Sequence, residues 1–157
     1  LYDLISTLIS QYKTSSNKDT ETKNVNFLYI AEEQNLTIEA DKGLLYQVLD
    51  NLLSNAIKFT KRIDDGDDDE AIITITTKRG ESNDNNNIIV SVKDNGTGID
   101  QEIMPRLFSK FATKSEAGTG LGLFISKNII KAHGGKIWAE NNIDGKGATF
   151  RFTLPIS

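Results

Sequence analysis

The sequence predicts an α+β fold, with a layer of helices on one face of a mixed, mostly antiparallel sheet of about five or six strands. Runs with strand-like alternation come in adjacent pairs joined by turn residues, 72–78 with 88–93 and 136–140 with 149–154. Helical periodicity is confined to separate segments, which leaves three main helices to cover the sheet. A chain of 157 residues, 38% of them hydrophobic, fits one domain with one core. At this size folding buries roughly 70% of the surface that the unfolded chain exposes, so neither disulfides nor a structural metal are required.

The elements follow in order. Leu1, Leu4, Ile5, Leu8, Ile9 and Tyr12 share one helical face, which sets residues 1–14 apart as a helix ahead of a domain at 15–157. Residues 15–24 are polar and read as a loop, and 25–30 as a strand. The segment LTIEA at 36–40 alternates cleanly and is expected to form another strand. Residues 42–60 form a strong helix whose buried stripe is Leu45, Val48, Leu49, Leu52 and Ala56. Six acids and no base between Asp64 and Glu70 read as a solvated loop, because clustered like charges repel. Strands 72–78 and 88–93 are joined by GESNDNNN, a hairpin connection. Residues 100–111 are expected to be helical but interrupted at Pro105. The last helix follows a glycine run, with Leu121, Ile125, Ile129 and Ala132 as its apolar stripe, and Gly134 and Gly135 stop it.

Three constellations carry chemistry. Gly118, Gly120 and Gly122 alternate with other residues just ahead of that helix. Glycine allows close backbone approach, and a helix start offers unpaired N–H groups and partial positive charge, so the pair can cradle phosphate or can simply pack tightly. Asn51, Asn55 and Lys58 lie four and three residues apart and share a second face of their helix. That face is either plain solvated surface or a set in which an Asn carbonyl ligates Mg²⁺ and the ammonium balances phosphate charge. In IIVSVKDNGTGID a strand ends and Asp94 follows. Asn95-Gly96 suits a hairpin turn, but no matched strand comes after it. A carboxylate only accepts hydrogen bonds, so Asp94 would select the exocyclic amine of adenine over the carbonyl of guanine, a contact contributing about 1.5–3 kcal/mol.

With these motifs the chain resembles, essentially from end to end, the catalytic ATP-binding domain of sensor histidine kinases in the GHKL ATPase/kinase superfamily. DNLLSNAIKFT is similar to that family's N box, DNGTGI to its first glycine box, LFSKFAT to its F box and GTGLGL to its second glycine box, followed by HGGKIWAEN. The resemblance implies a Bergerat-type α/β sandwich and the cofactors ATP and Mg²⁺. It implies Asn55 as metal ligand, Asn51 supporting the metal and phosphate region, Lys58 on phosphate and Phe59 flanking the nucleotide. Asp94 would receive the adenine amine, with Gly96 and Gly98 letting the base sit close and Ile99 beside them. Phe108 and Phe111 would anchor a lid over roughly 109–117, whose cations are Lys110 and Lys114. Gly118, Thr119, Gly120, Leu121, Gly122 and Leu123 would close the lid and hold the triphosphate.

The implied function is to bind Mg·ATP and present its γ-phosphate to a histidine on a separate dimerisation and phosphotransfer hairpin, with a response regulator downstream. Hydrolytic relatives carry a water-activating Glu four residues before the metal Asn; here that position is Asn51, and Asp50 is turned off that face. A catalytically silent ATP-sensing module and a protein-serine kinase are the alternatives. His133 is the sole histidine and sits in a structural context of the family. The chain starts at Leu1 and is expected to be a piece of a longer protein, monomeric in isolation and cytoplasmic, with any membrane anchor belonging to the rest of that protein. No apolar run reaches the length of a membrane span, and the absence of cysteine excludes disulfides and thiolate catalysis. A net charge of −4 gives no sign of nucleic-acid binding.

Overall fold

A computed structural model of the chain describes residues 1–16, 25–32, 35–60, 70–80, 86–113 and 118–157. Five strands form one sheet: β1 (Val25–Ala31), β2 (Ala71–Arg79), β3 (Asn87–Asp94), β4 (Ile137–Asn141) and β5 (Ala148–Pro155), in the spatial order β1-β2-β3-β5-β4. Only β1 and β2 run parallel. A parallel pair requires a crossover, and the helix α2 (Lys42–Thr60) lies between these two strands in sequence. With α1 (Tyr2–Ser16) and α3 (Gly122–Ala132) it covers the sheet, which gives the expected α/β sandwich.

Strand alternation sorts the side chains. Ile88, Val90 and Val92 of β3 and Phe150, Phe152 and Leu154 of β5 face the helices and are buried. Leu28 and Ile30 of β1 are exposed. The stripe expected on α2 is buried in full, joined by Leu53. On α1, Ile5, Leu8 and Ile9 are buried, and Leu1, Leu4 and Tyr12 pack against the same core. This helix runs two residues past the expected position 14.

Three expectations are corrected. Residues 36–40 do not form a strand. Leu36, Ile38 and Ala40 do turn towards the core, but a single bridge, Ile38 to Ile156, is the only ladder contact there among the described residues. Strand β5 ends at Pro155, which lacks an N–H, so little partner remains. Residues 100–111 fold as turns around one 3₁₀ turn, Met104–Arg106, with Pro105 inside it. Ile103 and Leu107 are still buried from these turns. The stripe expected on α3 is also displaced. Its buried residues are Ser126, Ile129 and Ile130, whereas Ile125 and Ala132 are exposed. The helix packs on α2 as well as on the sheet, so a polar residue holds the middle of its buried face.

Candidate functional site

A cleft of about 480 Å³ opens between α2, the segment after β3 and the start of α3. That volume is in the range of sites for small organic ligands. Spacings of four and three bring Asn51, Asn55 and Lys58 to one wall, where Phe59 joins them. Thr97, Gly98, Ile99 and Asp100 form a second wall, and Gly118, Thr119, Gly120, Gly122 and Leu123 a third. Ile103, Leu107 and Phe150 supply apolar surface. The last three were not anticipated; two of them came from a segment expected to be a helix.

Asp94 ends β3, at the point where the second wall departs, and is 1% exposed. Its Oδ1 accepts hydrogen bonds from the N–H groups of Gly96 at 2.9 Å and Ala148 at 3.3 Å. Its Oδ2 is buried without a hydrogen-bond partner. Desolvation pushes this carboxyl above the ordinary carboxylate range, and the two backbone donors oppose the shift. An orphaned buried acceptor is costly and calls for a donor. Gly96 is needed for packing, since a Cβ there would come 2.5 Å from the carbonyl oxygen of Phe59. Gly98 takes φ +77°, where a Cβ is strained.

A clamp of asparagines holds this turn from outside the cleft. Asn141 pairs with Ile99 as a second peptide would, accepting its N–H at 2.7 Å and donating to its carbonyl at 2.9 Å. Asn142 donates to the carbonyls of Asp94 (2.8 Å) and Lys146 (2.7 Å). Asn95 accepts the N–H of Ile72 and donates to the carbonyl of Glu70. Sequence reasoning included Asn141 in the segment HGGKIWAEN without giving it a role, and passed over Asn142.

The start of α3 has no side-chain cap among the described residues, so its first N–H groups remain available to an anion. Leu121, at the N-cap position, does not line the cleft. Nor do Asp94, Gly96, Phe108, Phe111 or Lys110, so the carboxyl of Asp94 is buried behind the lining rather than part of it. Phe108 packs edge-on against Phe150, with centroids 6.5 Å apart. Phe111 instead projects into solvent at 68% exposure, with φ 61°. Its N–H donates to the carbonyl of Gly120, so the backbone on the two sides of residues 114–117 meets there. The Lys110 ammonium sits 5.2 Å from the ring centroid of Phe124. Lys114 lies outside the described residues.

Two neighbouring groups face elsewhere. Asp50 accepts the Tyr12 hydroxyl at 2.6 Å, on the α1 side of α2. His133 accepts the N–H of Asp41 on Nε2 at 3.1 Å, which fixes the tautomer, and Nδ1–H donates to the carbonyl of Ile129 at 2.8 Å.

A model of the histidine kinase-, DNA gyrase B- and HSP90-like ATPase family matches residues 40–157. The chain belongs to this family. It is 36% identical over 142 residues to the sensor histidine kinase WalK of Bacillus subtilis, covering 87% of this chain and 22% of WalK. It is similar to the nucleotide-free catalytic domain of histidine kinase ThkA, at a TM-score of 0.78 and 33% identity over 99% of this chain and 91% of that one. ThkA in complex with the response regulator TrrA is similar at a TM-score of 0.76 and 31% identity, over all of this chain (100%) and 40% of that one. The chain thus spans a catalytic domain and about a fifth of its curated histidine-kinase relative. Domains of this GHKL family bind ATP with Mg²⁺, and its histidine-kinase members serve as the kinase domains of two-component systems. Among the described residues no helix is long and apolar enough to cross a membrane.

Proposed function

We propose that this chain binds Mg·ATP in the cleft and presents the γ-phosphate for transfer to a histidine on a separate dimerisation and phosphotransfer domain of a two-component sensor kinase. The observation that carries this reading is the buried, unpartnered Oδ2 of Asp94, whose missing donor is the amine of adenine. The rest of the cleft suits the polyanionic end. Asn55, with Asn51 beside it, offers neutral carbonyl oxygens to Mg²⁺, and Lys58 offers an ammonium to phosphate. The bound cation neutralises phosphate charge. The glycine run and the uncapped start of α3 present N–H groups to the remaining oxygens. Phosphoryl transfer rests on such positioning and charge compensation, with little covalent chemistry from the protein. By analogy with the ThkA–TrrA complex, a response regulator is the expected downstream partner.

The test is calorimetric titration of the folded chain with ATP and GTP in MgCl₂, on wild type and Asp94→Asn. The variant keeps an acceptor for Gly96 and Ala148 but replaces Oδ2 with a donor that opposes the adenine amine. We expect wild type to bind ATP and not GTP. ATP affinity should fall about 10- to 150-fold in Asp94→Asn, the equivalent of one hydrogen bond to a charged group. Equal ATP affinity in both proteins would remove Asp94 from the site.

A further inference from the structure

We infer that Ser126 is a positioning residue for the metal and phosphate end of the cleft, acting through Asn51. The inference rests on the Mg·ATP reading and adds to it a residue that does not touch the ligand. Ser126 is 1% exposed, on the second turn of α3, and does not line the cleft. Its hydroxyl oxygen accepts a hydrogen bond from Asn51 Nδ2 at 3.1 Å. Four residues earlier, on the same face of α3, lies Gly122. A Cβ at Gly122 would come 2.2 Å from Asn51 Oδ1, 2.8 Å from its Cγ and 3.0 Å from its Nδ2. The carboxamide therefore lies flat in a socket on α3, made of the notch at Gly122 and the hydroxyl of Ser126.

The socket holds the carboxamide of Asn51 against α3 at the edge of the cleft. A carboxamide is a donor at one end and an acceptor at the other, and only the acceptor end suits a cation. With Nδ2 donating to Ser126, Oδ1 lies against Gly122, itself a residue of the cleft wall. The arrangement also ties α2 to the helix that begins where the glycine run ends. It accounts for a polar residue in the middle of the buried face of α3, where an apolar stripe would otherwise run.

The experiment is a double-mutant cycle on the folded chain, with Ser126→Ala, Asn51→Ala and the pair. For each protein the ratio of ATP affinity in MgCl₂ to that in EDTA is measured by calorimetry, alongside thermal melting. We expect Ser126→Ala to lower the ratio about three- to tenfold, as the loss of one net hydrogen bond would. The double variant should match Asn51→Ala, because Ser126 has no effect once its carboxamide is gone. A serine that serves stability alone would lower melting in both backgrounds and leave the ratio at the wild-type value, which overturns the inference. So does a reduction that simply multiplies with that of Asn51→Ala. Absence of ATP binding by wild type would instead overturn the Mg·ATP reading itself, and this inference with it.

Discussion

Asp94 holds both of its backbone donors on one oxygen, while the other faces protein with no donor. Its pH behaviour follows. Burial lifts its pKa above the ordinary carboxylate value, so between those two values the native state binds more protons than the unfolded chain. Stability from this group is therefore full at low pH and declines as pH rises through that window. Above the raised value the ionised carboxylate is an uncompensated cost. In urea titrations upward from the ordinary carboxylate value, Asp94→Asn should gain stability relative to wild type as pH rises, and the difference should level off above the raised value. A difference that is flat, or that shrinks with rising pH, would show that burial does not destabilise the charged form. Saturating Mg·ATP should reduce the slope, since the adenine amine would satisfy the charged oxygen.

Helices α2 and α3 are joined at two points, Asn51 to Ser126 near the cleft and Asp41 to His133 at the far end. Asp41 also caps α2, its Oδ1 accepting the N–H of Leu44 at 2.9 Å. His133→Ala leaves the N–H of Asp41 without its acceptor and should cost about 1 kcal/mol, in the range of a lost cap or hydrogen bond. Urea unfolding would show the loss. ATP affinity should hold, because His133 lies outside the cleft lining; a fall in affinity without a fall in stability would contradict a structural role. These helices also show what was legible in the sequence. The stripe of α2 could be read because it packs one face against one core. That of α3 could not, because its buried face is shared with α2 and carries a serine whose partner, Asn51, is 75 residues away. Alternation at Leu36, Ile38 and Ala40 was real, but a strand also needs a neighbour with free backbone groups, and the pattern says nothing of that. The cleft walls were legible at Asn51, Asn55, Lys58, Gly98, Gly118, Gly120 and Gly122, all of which line the cleft. The clamp roles of Asn141 and Asn142 were not, because both act on distant backbone.

At the scale of the whole molecule, the cleft and the sole histidine are separate features of one fold. Both ring nitrogens of His133 are committed, Nδ1–H to Ile129 and Nε2 to Asp41. A phosphoryl group on Nε2 would need the lone pair that now accepts the Asp41 N–H, and one on Nδ1 would break the bond to the carbonyl of Ile129. The first bond ties the end of α3 to the start of α2 and the second closes the last turn of α3, so phosphorylation there would work against the fold. The chain incubated with γ-labelled ATP and Mg²⁺ should therefore bind nucleotide yet acquire no acid-labile label. Addition of a separate helical hairpin that carries a phospho-accepting histidine should place label on the hairpin, and at subsaturating ATP Asp94→Asn should reduce that transfer in parallel with its fall in ATP affinity. Label retained on His133 would mean that the α2–α3 junction opens far more readily than its hydrogen bonds imply. Label on neither protein, with ATP binding intact, would identify a nucleotide-sensing module without transfer activity.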